Sequence, residues 1–396
     1  MAQPVWEVAG ILGRHGDAYR AQHALPAHQL RMMRALQLCR TAPLGGHIER
    51  CGHCEYQRIS YNSCRNRHCP KCQNLARAQW IEKRKAELLP IPYFHVVFTI
   101  PEQLNPLALQ NKKVFYGLLF AASAATLQTI ARDPKHLGAE IGFFSILHTW
   151  GQTLTHHPHI HSVVTGGGLR PDRTGWVPSR QRFLLSVRVL SRLFRRLFLE
   201  TLQQAFEKER LSFHGNLAPL AEPSAFRALL GPLRHCKWVV YAKPPFGGPQ
   251  QVIDYLGRYT HRVAISNHRL RNVADGQVTF QYKQYRAADG QQGREMTVSA
   301  EEFIRRFLLH TLPPGFQRIR HYGLLASRPK QGNLTLCRQF LQTPAVEPSR
   351  APETKASVQS RLLAPMLLCP QCRTGLLARV RFLPSATGPP PGVNSS

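Results

Sequence analysis

The sequence predicts an α+β fold with a mostly antiparallel sheet. Short runs rich in β-branched and aromatic residues alternate with longer helical segments, and glycine-rich links are typical of hairpins. The predicted strands are 94–100, 159–165, 237–242, 262–266 and 277–285, and the predicted long helices are 114–131 and 187–208. The link from Gly166-Gly167-Gly168 to Gly175 is interpreted as a hairpin loop, with close approach of its backbone to DNA as the alternative.

The two long helices are predicted from different patterns. Residues 114–131 contain no charged residue, but hydroxyl and amide side chains interrupt the apolar run, which favours a buried helix over a membrane span. Residues 187–208 carry apolar residues at helical spacing, with arginines on the remaining surface that suit either a solvated face or a DNA contact. A capping box at Ser299 and Glu302 predicts the start of another helix, which runs to about His310.

The pattern along the chain predicts three parts. Residues 1–90 form a helical and zinc-binding module that binds DNA, residues 91–335 form the α+β domain, and residues 336–396 form a C-terminal tail with a CxxC half-site. Because the segments 344–358 and 384–396 are rich in Pro, Ser, Ala or Gly, we expect disorder there.

The charge of the chain indicates a polyanionic partner. The 396 residues include 52 Lys and Arg against 22 Asp and Glu, a formal charge of +30 that is spread along the sequence. We expect DNA rather than a membrane to be the partner, because the sequence shows no signal peptide or basic amphipathic anchor. Six of the ten cysteines lie in CxxC pairs, which indicates metal thiolates in a reducing cytosol. Because the charge indicates DNA, we expect a cytoplasmic protein associated with the nucleoid.

The first two CxxC pairs predict a structural Zn²⁺ site. Paired CxxC motifs at this separation are typical of zinc ribbons, and four thiolates close a tetrahedron that leaves no position for substrate. The predicted ligands are Cys51, Cys54, Cys69 and Cys72, with Cys64 as the alternate ligand and His53 and His68 as further donors. Cys369 and Cys372 form only half a site, with Cys337 as a distant candidate partner.

Two side-chain pairs predict a catalytic centre. His159 and His161 project from the same face of an extended strand, so they can bind one divalent cation between two imidazoles. Tyr255 and Tyr259 lie four residues apart, which on a helix places both phenols on one face. A cation that polarises a phosphodiester beside a tyrosine nucleophile predicts a nickase and strand transferase rather than a hydrolase.

These motifs resemble the two-tyrosine HUH transposases of rolling-circle insertion sequences. The resemblance covers roughly residues 25–375 and rests on YNSCRNRHCPKC at 61–72, the strand at 93–100, the His159/His161 pair and YLGRYTHR at 255–262. It implies an HUH-endonuclease-like sheet flanked by helices, a catalytic domain at 91–335, and a cation, Mg²⁺ or Mn²⁺, that a third polar side chain also binds. His157, Gln152 and Asp254 are the candidates for that third ligand.

The resemblance also implies the reaction. Tyr255 or Tyr259 would attack single-stranded DNA at the ends of a mobile element, leaving a 5′-phosphotyrosine and a free 3′-hydroxyl for rolling-circle transposition. The candidate DNA-binding residues are Arg65, Arg67, Lys71, Arg258, Arg262, Arg318 and Arg320.

Three other functions remain open from the sequence. A plasmid replication initiator or relaxase would share the nicking chemistry, and a noncatalytic zinc-dependent DNA-binding protein would need only the cysteines and the charge. A metallohydrolase also uses an H-x-H motif, but the +30 charge and the missing alternation of strands and helices count against it.

Overall fold

The predicted α+β class is confirmed in the computed structural model. The structure describes residues 4–180, 183–243, 251, 253–254, 257, 264–284, 293–342 and 367–386. The strands of this part are β1 (Gly46–Cys51), β2 (Gln57–Tyr61), β3 (Tyr93–Thr99), β4 (Glu140–Trp150), β5 (His156–Leu169), β6 (Trp176–Pro178), β7 (Val240–Lys243), β8 (Leu270–Ala274), β9 (Gln277–Lys283), β10 (Gly293–Ser299), β11 (Ile319–Gly323) and β12 (Leu377–Leu383).

The helices of the described part lie before, between and after these strands. They are α1 (Val8–Gln22), α2 (Ala27–Leu38), α3 (Asn74–Ala86), α4 (Asn105–Gln110), α5 (Lys112–Arg132), α6 (Val187–Glu207), α7 (Pro223–His235), α8 (Ala300–Leu309) and α9 (Lys330–Phe340). Short 3-10 helices occur at Ala42–Leu44, Glu102–Leu104, Gly215–Ala221 and Asn267–Arg269.

A six-stranded antiparallel sheet forms the centre of the fold, with the order β11-β4-β5-β3-β7 and with β6 paired to β5. The strand β4 was not among the predicted strands. Its sequence, EIGFFSILHTW, lacks the alternation of apolar and polar residues because nine of its eleven residues are buried. In contrast, the predicted strand at 262–266 is not a strand in its described part, residues 264–266.

Helices α5 and α6 cover one face of this sheet, as their sequence patterns predict. Phe115 of α5 and Phe198 of α6 are both fully buried, and their ring centroids lie 5.2 Å apart. Within the described part, α5 is the one helix long and apolar enough to cross a membrane, but 61% of its apolar window is buried inside the protein. The apolar run of α5 therefore packs in the protein core.

The hairpin predicted between Gly166 and Gly175 is present, but its turn is shorter than predicted because the three glycines at 166–168 lie within β5. The turn comes later, where the Arg170 amide donates to the Gly175 carbonyl at 2.9 Å. A Cβ at Gly166 would lie 2.6 Å from the Pro92 carbonyl oxygen, and a Cβ at Gly168 would meet the Glu140 backbone. Because neighbouring backbone fills this space, the glycines serve strand packing rather than approach to DNA.

The capping box at the start of α8 is confirmed. The Ser299 hydroxyl accepts a hydrogen bond from the Glu302 amide at 3.1 Å. One side of α8 packs against α1, α2 and the three-stranded sheet β10-β9-β8, in a core that includes Val8, Met33, Phe280 and Phe303. The N-terminal helices therefore share a core with residues about 250 positions later in the chain.

The C-terminal strand β12 pairs with the N-terminal strand β1. The three strands form an antiparallel sheet of order β12-β1-β2, in which Cys51 lies opposite Leu377. Most of the expected disordered segments, 344–358 and 384–396, lie outside the described residues. The division of the chain into three domains stays a prediction, but its first and third parts meet in one sheet.

Candidate active site and metal centres

A group of three histidines lies on the central sheet. Along β5, His159 and His161 project from one face, and the antiparallel register places His148 of β4 directly opposite His159. One ring nitrogen from each of the three histidines lies within 4.8 Å of those of the other two. The structure thus brings the predicted pair together and adds His148 to it.

Hydrogen bonds orient two of the three rings. His159 Nδ1 lies 2.6 Å from the His157 carbonyl oxygen, so Nδ1 carries the proton and donates it, which leaves Nε2 as an acceptor. His161 Nδ1 lies 2.7 Å from Nε2 of His95 on β3. His161 Nε2 is a buried atom with no hydrogen-bond partner among the described residues, so a bound cation is the partner that its lone pair would suit.

The three rings are neutral at ordinary pH, as metal binding requires. Burial lowers the pKa of His159 to about 4. For His148 and His161, burial first and neighbouring imidazoles second lower the pKa well below the ordinary histidine value. His148 is 3% exposed, whereas the side chains of His159 and His161 are partly exposed.

The three candidates for the third metal ligand have other contacts. The Asp254 carboxylate lies 3.1 Å from Lys85 Nζ, and Gln152 Oε1 accepts from the Lys283 amide at 3.4 Å. His157 lies beside His159, with ring centroids 5.2 Å apart, but is outside the group of three. The third member of the group is His148, and it could have been found only from the antiparallel register that places residues 148 and 159 opposite each other.

The predicted nucleophiles Tyr255 and Tyr259, together with Arg258 and Arg262, lie outside the described residues. Two described residues of the same segment contact α3. Asp254 forms the ion pair with Lys85, and a Cβ at Gly257 would clash with the Ile81 side chain. A side chain at position 257 would therefore require the Ile81 side chain of α3 to shift.

The cysteines form two groups of four rather than the single predicted set. Cys69 and Cys72 lie with Cys39 and Cys64, whereas Cys51 and Cys54 lie with Cys369 and Cys372. In each group the four sulfurs lie within 4.8 Å of one another. The ligand set predicted from the first two CxxC pairs is therefore corrected. Cys64 belongs to the first group, and Cys337 belongs to neither.

The first group lies under the N-terminal helices. Cys39 follows α2 and is fully buried, Cys69 is 1% exposed, and the sulfurs of Cys64 and Cys72 are 3.8 Å apart. Of the further donors, His68 accepts from the Leu312 amide through Nε2 at 3.2 Å. The sequence analysis missed Cys39 because this cysteine is not part of a CxxC pair.

The predicted DNA-binding residues differ in their surroundings. Arg65 is exposed. Arg67 donates to the carbonyls of Phe316 and Pro313 at 2.7 and 2.8 Å, and Lys71 forms an ion pair with Glu7 at 2.8 Å. These two side chains have contacts within the protein, so of the three described residues near the cysteines only Arg65 is exposed.

Arg318 and Arg320 are packed against aromatic rings. Arg318 is 8% exposed and lies 5.4 Å from the centroid of Trp150, and burial lowers its pKa to about 9. Arg320 lies 4.3 Å from the centroid of Phe120. Of these two predicted DNA-binding residues, Arg318 is buried and Arg320 is half-buried. Substituting them would disturb the core around β11.

Acid should destabilise this protein through its buried histidines. His310 is 1% exposed, and burial first, then the charge of Lys112, lower its pKa to about 3. Because the unfolded chain binds this proton more readily, the stability from neutral His310 is present above the ordinary pKa and is lost as pH falls from about 6.5 towards 3.

Proton binding to His310 in the unfolded chain should by itself make the free energy of unfolding about 1.4 kcal/mol lower at about pH 5.5 than at about pH 7.5. Urea unfolding at the two pH values measures this loss. His310→Gln removes the titrating group, so the variant should lose less stability between the two pH values. An equal loss in both proteins would contradict the assignment.

Two family models match the chain. The model described as "Putative transposase" matches residues 142–332, which include the three histidines, and the model described as "Transposase zinc-binding domain" matches residues 11–100, which include six of the cysteines. No solved structure matches the chain significantly.

Two curated relatives are similar over most of the chain. "Putative transposase y4qJ" of Sinorhizobium fredii (strain NBRC 101917 / NGR234) is 56% identical over 394 residues, which cover 98% of each protein. "Transposase for insertion sequence element IS801" of Pseudomonas savastanoi pv. phaseolicola is 30% identical over 306 residues, 76% of this chain and 70% of that protein.

These matches agree with the expectation drawn from the motifs. They favour a transposase over a replication initiator, a relaxase or a metallohydrolase, and the zinc-binding model agrees with the clustered cysteines. A transposase acts on the DNA of its mobile element, which also accounts for the charge of +30. The chain belongs to the family of insertion-sequence transposases that includes those of IS91 and IS801, with an N-terminal zinc-binding domain.

Proposed function

We propose that this transposase nicks one DNA strand and transfers it through a 5′-phosphotyrosine intermediate, as in rolling-circle transposition. The observation that carries the proposal is the group of His148, His159 and His161, whose neutral rings converge on one face of the central sheet. Three imidazoles at this spacing are a site for a divalent cation, and the two tyrosines follow later in the chain.

The donor set favours Mn²⁺ over Mg²⁺. Imidazole nitrogen binds divalent transition metals such as Mn²⁺, whereas Mg²⁺ prefers oxygen ligands and keeps several waters. His148, His159 and His161 would bind the cation, and when bound it would supply Lewis acidity to a non-bridging oxygen of the scissile phosphate. The contact between His95 and His161 would keep the His161 ring in its orientation.

Each DNA strand that is cut requires one tyrosine of the protein as nucleophile. The phenol oxygen of Tyr255 or Tyr259 forms a bond to phosphorus, the bond from phosphorus to the upstream 3′ oxygen breaks, and the phenol proton ends on that 3′ oxygen. Because a phosphodiester bond replaces a phosphodiester bond, a new 3′-hydroxyl can attack the phosphotyrosine and reverse the step. A second tyrosine allows a second cut while the first strand remains attached.

The proposed substrate is single-stranded DNA from the ends of the element. Arg65 is exposed beside the first cysteine group, which would allow the zinc-binding module to contact the phosphate backbone. The proposed roles of the metals differ. Zn²⁺ at Cys39, Cys64, Cys69 and Cys72 would be structural, because four thiolates leave no open position for substrate.

The covalent intermediate gives a direct test. With Mn²⁺ and end-labelled single-stranded DNA from the element ends, the wild-type protein should form a DNA adduct that survives denaturation and disappears on protease digestion. The Tyr255→Phe/Tyr259→Phe protein should form none, because each substitution removes only the attacking oxygen. Each single variant should still nick but should fail in complete transposition.

Tyr282→Phe is the matched control, since it removes a phenol oxygen from β9, outside the motif. This variant should form the adduct at the wild-type level. A double Phe variant that still becomes covalently joined to DNA would refute the proposed nucleophiles.

A further inference from the structure

We propose that Cys51, Cys54, Cys369 and Cys372 form a second tetrathiolate Zn²⁺ site, which joins the C-terminal segment to the N-terminal module. Neither family model extends over Cys369 and Cys372, since the two models match residues 11–100 and 142–332. The site shares no ligand with the group of Cys39, Cys64, Cys69 and Cys72.

The distances between the sulfurs fit a zinc ion. Cys51 Sγ lies 3.7 Å from Cys372 Sγ, and Cys54 Sγ lies 3.6 Å from Cys369 Sγ. In a tetrahedral site with Zn–S bonds of about 2.3 Å, neighbouring sulfurs are about 3.8 Å apart. A disulfide would need its sulfurs at about 2.05 Å, so the observed arrangement suits a metal better than two disulfides.

The backbone around the two CxxC pairs has matching contacts. The His53 amide donates to Cys51 Sγ at 3.3 Å, and the Gly375 amide donates to Cys372 Sγ at 3.3 Å. A backbone amide that donates to sulfur stabilises the thiolate, which is the form that binds metal. Each half of the proposed site therefore supplies such a donor from its own loop.

The two loops also pack closely. A Cβ at Gly375 would meet Cys51 Sγ and would lie 2.7 Å from His53 Cβ. Next to this contact, the Gly52 amide donates to the Leu376 carbonyl at 3.2 Å, and Leu377 begins β12 opposite Cys51. The approach is specific, because only a glycine leaves room for the N-terminal loop at this point.

The apolar core of this unit is very small. Its buried side chains are Cys51, Cys369 and Leu377, with Cys54, Tyr56 and Cys372 packed around them. Four of these six side chains are the proposed ligands, while Val380 and Phe382 of β12 are 48% and 71% exposed. A sheet with so little buried apolar surface needs another source of stability, and a structural metal supplies it.

Metal content tests the proposal. Native mass spectrometry of the full chain, purified under reducing conditions, should show about two Zn²⁺ per protein. Cys369→Ser/Cys372→Ser should retain about one Zn²⁺. Cys236→Ser, which changes a thiol outside both groups, should retain about two. After replacement of Zn²⁺ by Co²⁺, the thiolate-to-metal absorbance of the double variant should fall to about half.

A second measurement uses the wild-type protein alone, so its result does not depend on whether the double variant folds. Alkylation followed by peptide mass spectrometry should find Cys369 and Cys372 protected in the metal-loaded protein and modified after chelation, while Cys236 reacts equally in both. Any of three results would overturn the proposal: one Zn²⁺ in the wild type, a double variant with wild-type zinc content, or disulfide-linked peptides from these cysteines.

Discussion

His148→Ala is expected to abolish strand cleavage and to leave DNA binding largely intact. The substitution removes one of three neutral imidazoles that converge on the same point, and it empties a buried position on β4. Changes in the outer contacts of metal ligands alone cost about 10- to 100-fold in affinity or activity, so the loss of a ligand should lower the cleavage rate by more than about 100-fold. DNA affinity depends mainly on the charge of +30, which is unchanged when a neutral histidine is removed.

Three measurements separate the effects of this substitution. Cleavage of end-labelled DNA gives the rate, Mn²⁺ titration followed by electron paramagnetic resonance gives the metal affinity, and filter binding gives the DNA affinity. His157→Ala is the matched control, because His157 lies beside His159 but outside the group of three. If His157→Ala lost cleavage and His148→Ala did not, His157 rather than His148 would be the third ligand.

Cys69→Ser should unfold the N-terminal module and the parts that pack on it. Cys69 is 1% exposed and lies in the same core as α1, α2 and α8. Structural Zn²⁺ contributes about 10–16 kcal/mol to the folding of small zinc modules. This is comparable to the whole stability of a typical domain, about 5–15 kcal/mol, so we expect the core to unfold without the metal.

Hydrogen exchange and zinc content test this prediction together. In Cys69→Ser, amide exchange should increase in α1 and α2 and also in β8–β10 and α8, because these elements share one core. Exchange in α5 and α6 should change little, because they pack in a separate core on the central sheet. Cys236→Ser should behave as wild type, and a Cys69→Ser protein with full zinc content and unchanged exchange would contradict the assigned ligands.

Local patterns in the sequence predicted the parts of the fold that local patterns determine. An uncharged apolar run located α5, the spacing of apolar residues located α6, and the β-branched and aromatic residues of 94–100 located β3. The strand β4 shows the limit of this reasoning. Its residues are buried on both faces, so the run has no period that distinguishes a strand from a helix. Because β4 was not predicted from the sequence, His148 was not included in the predicted site.

The cysteine pairs show a second limit, which concerns distance along the chain. A CxxC pair has the same local sequence whichever pair completes its site, so spacing favoured the nearest partner. The structure instead places Cys54 beside Cys369, 315 residues away, and adds Cys39 to the group of Cys64, Cys69 and Cys72. The positive charge of Arg318 predicted a DNA contact from the sequence, but in the fold this side chain packs on Trp150.

The pairing of β12 with β1 has a consequence for synthesis of the protein. The first cysteine group is complete once Cys72 has left the ribosome. In contrast, β1 cannot pair with β12 until residues Leu377–Leu383 have been synthesised. At about 5–20 residues per second, the intervening 300 or so residues take roughly 15–60 s to make. During that interval one edge of β1 is open, and a truncated transposase would keep it open. Only a chain translated through β12 can therefore complete the sheet formed by β12, β1 and β2.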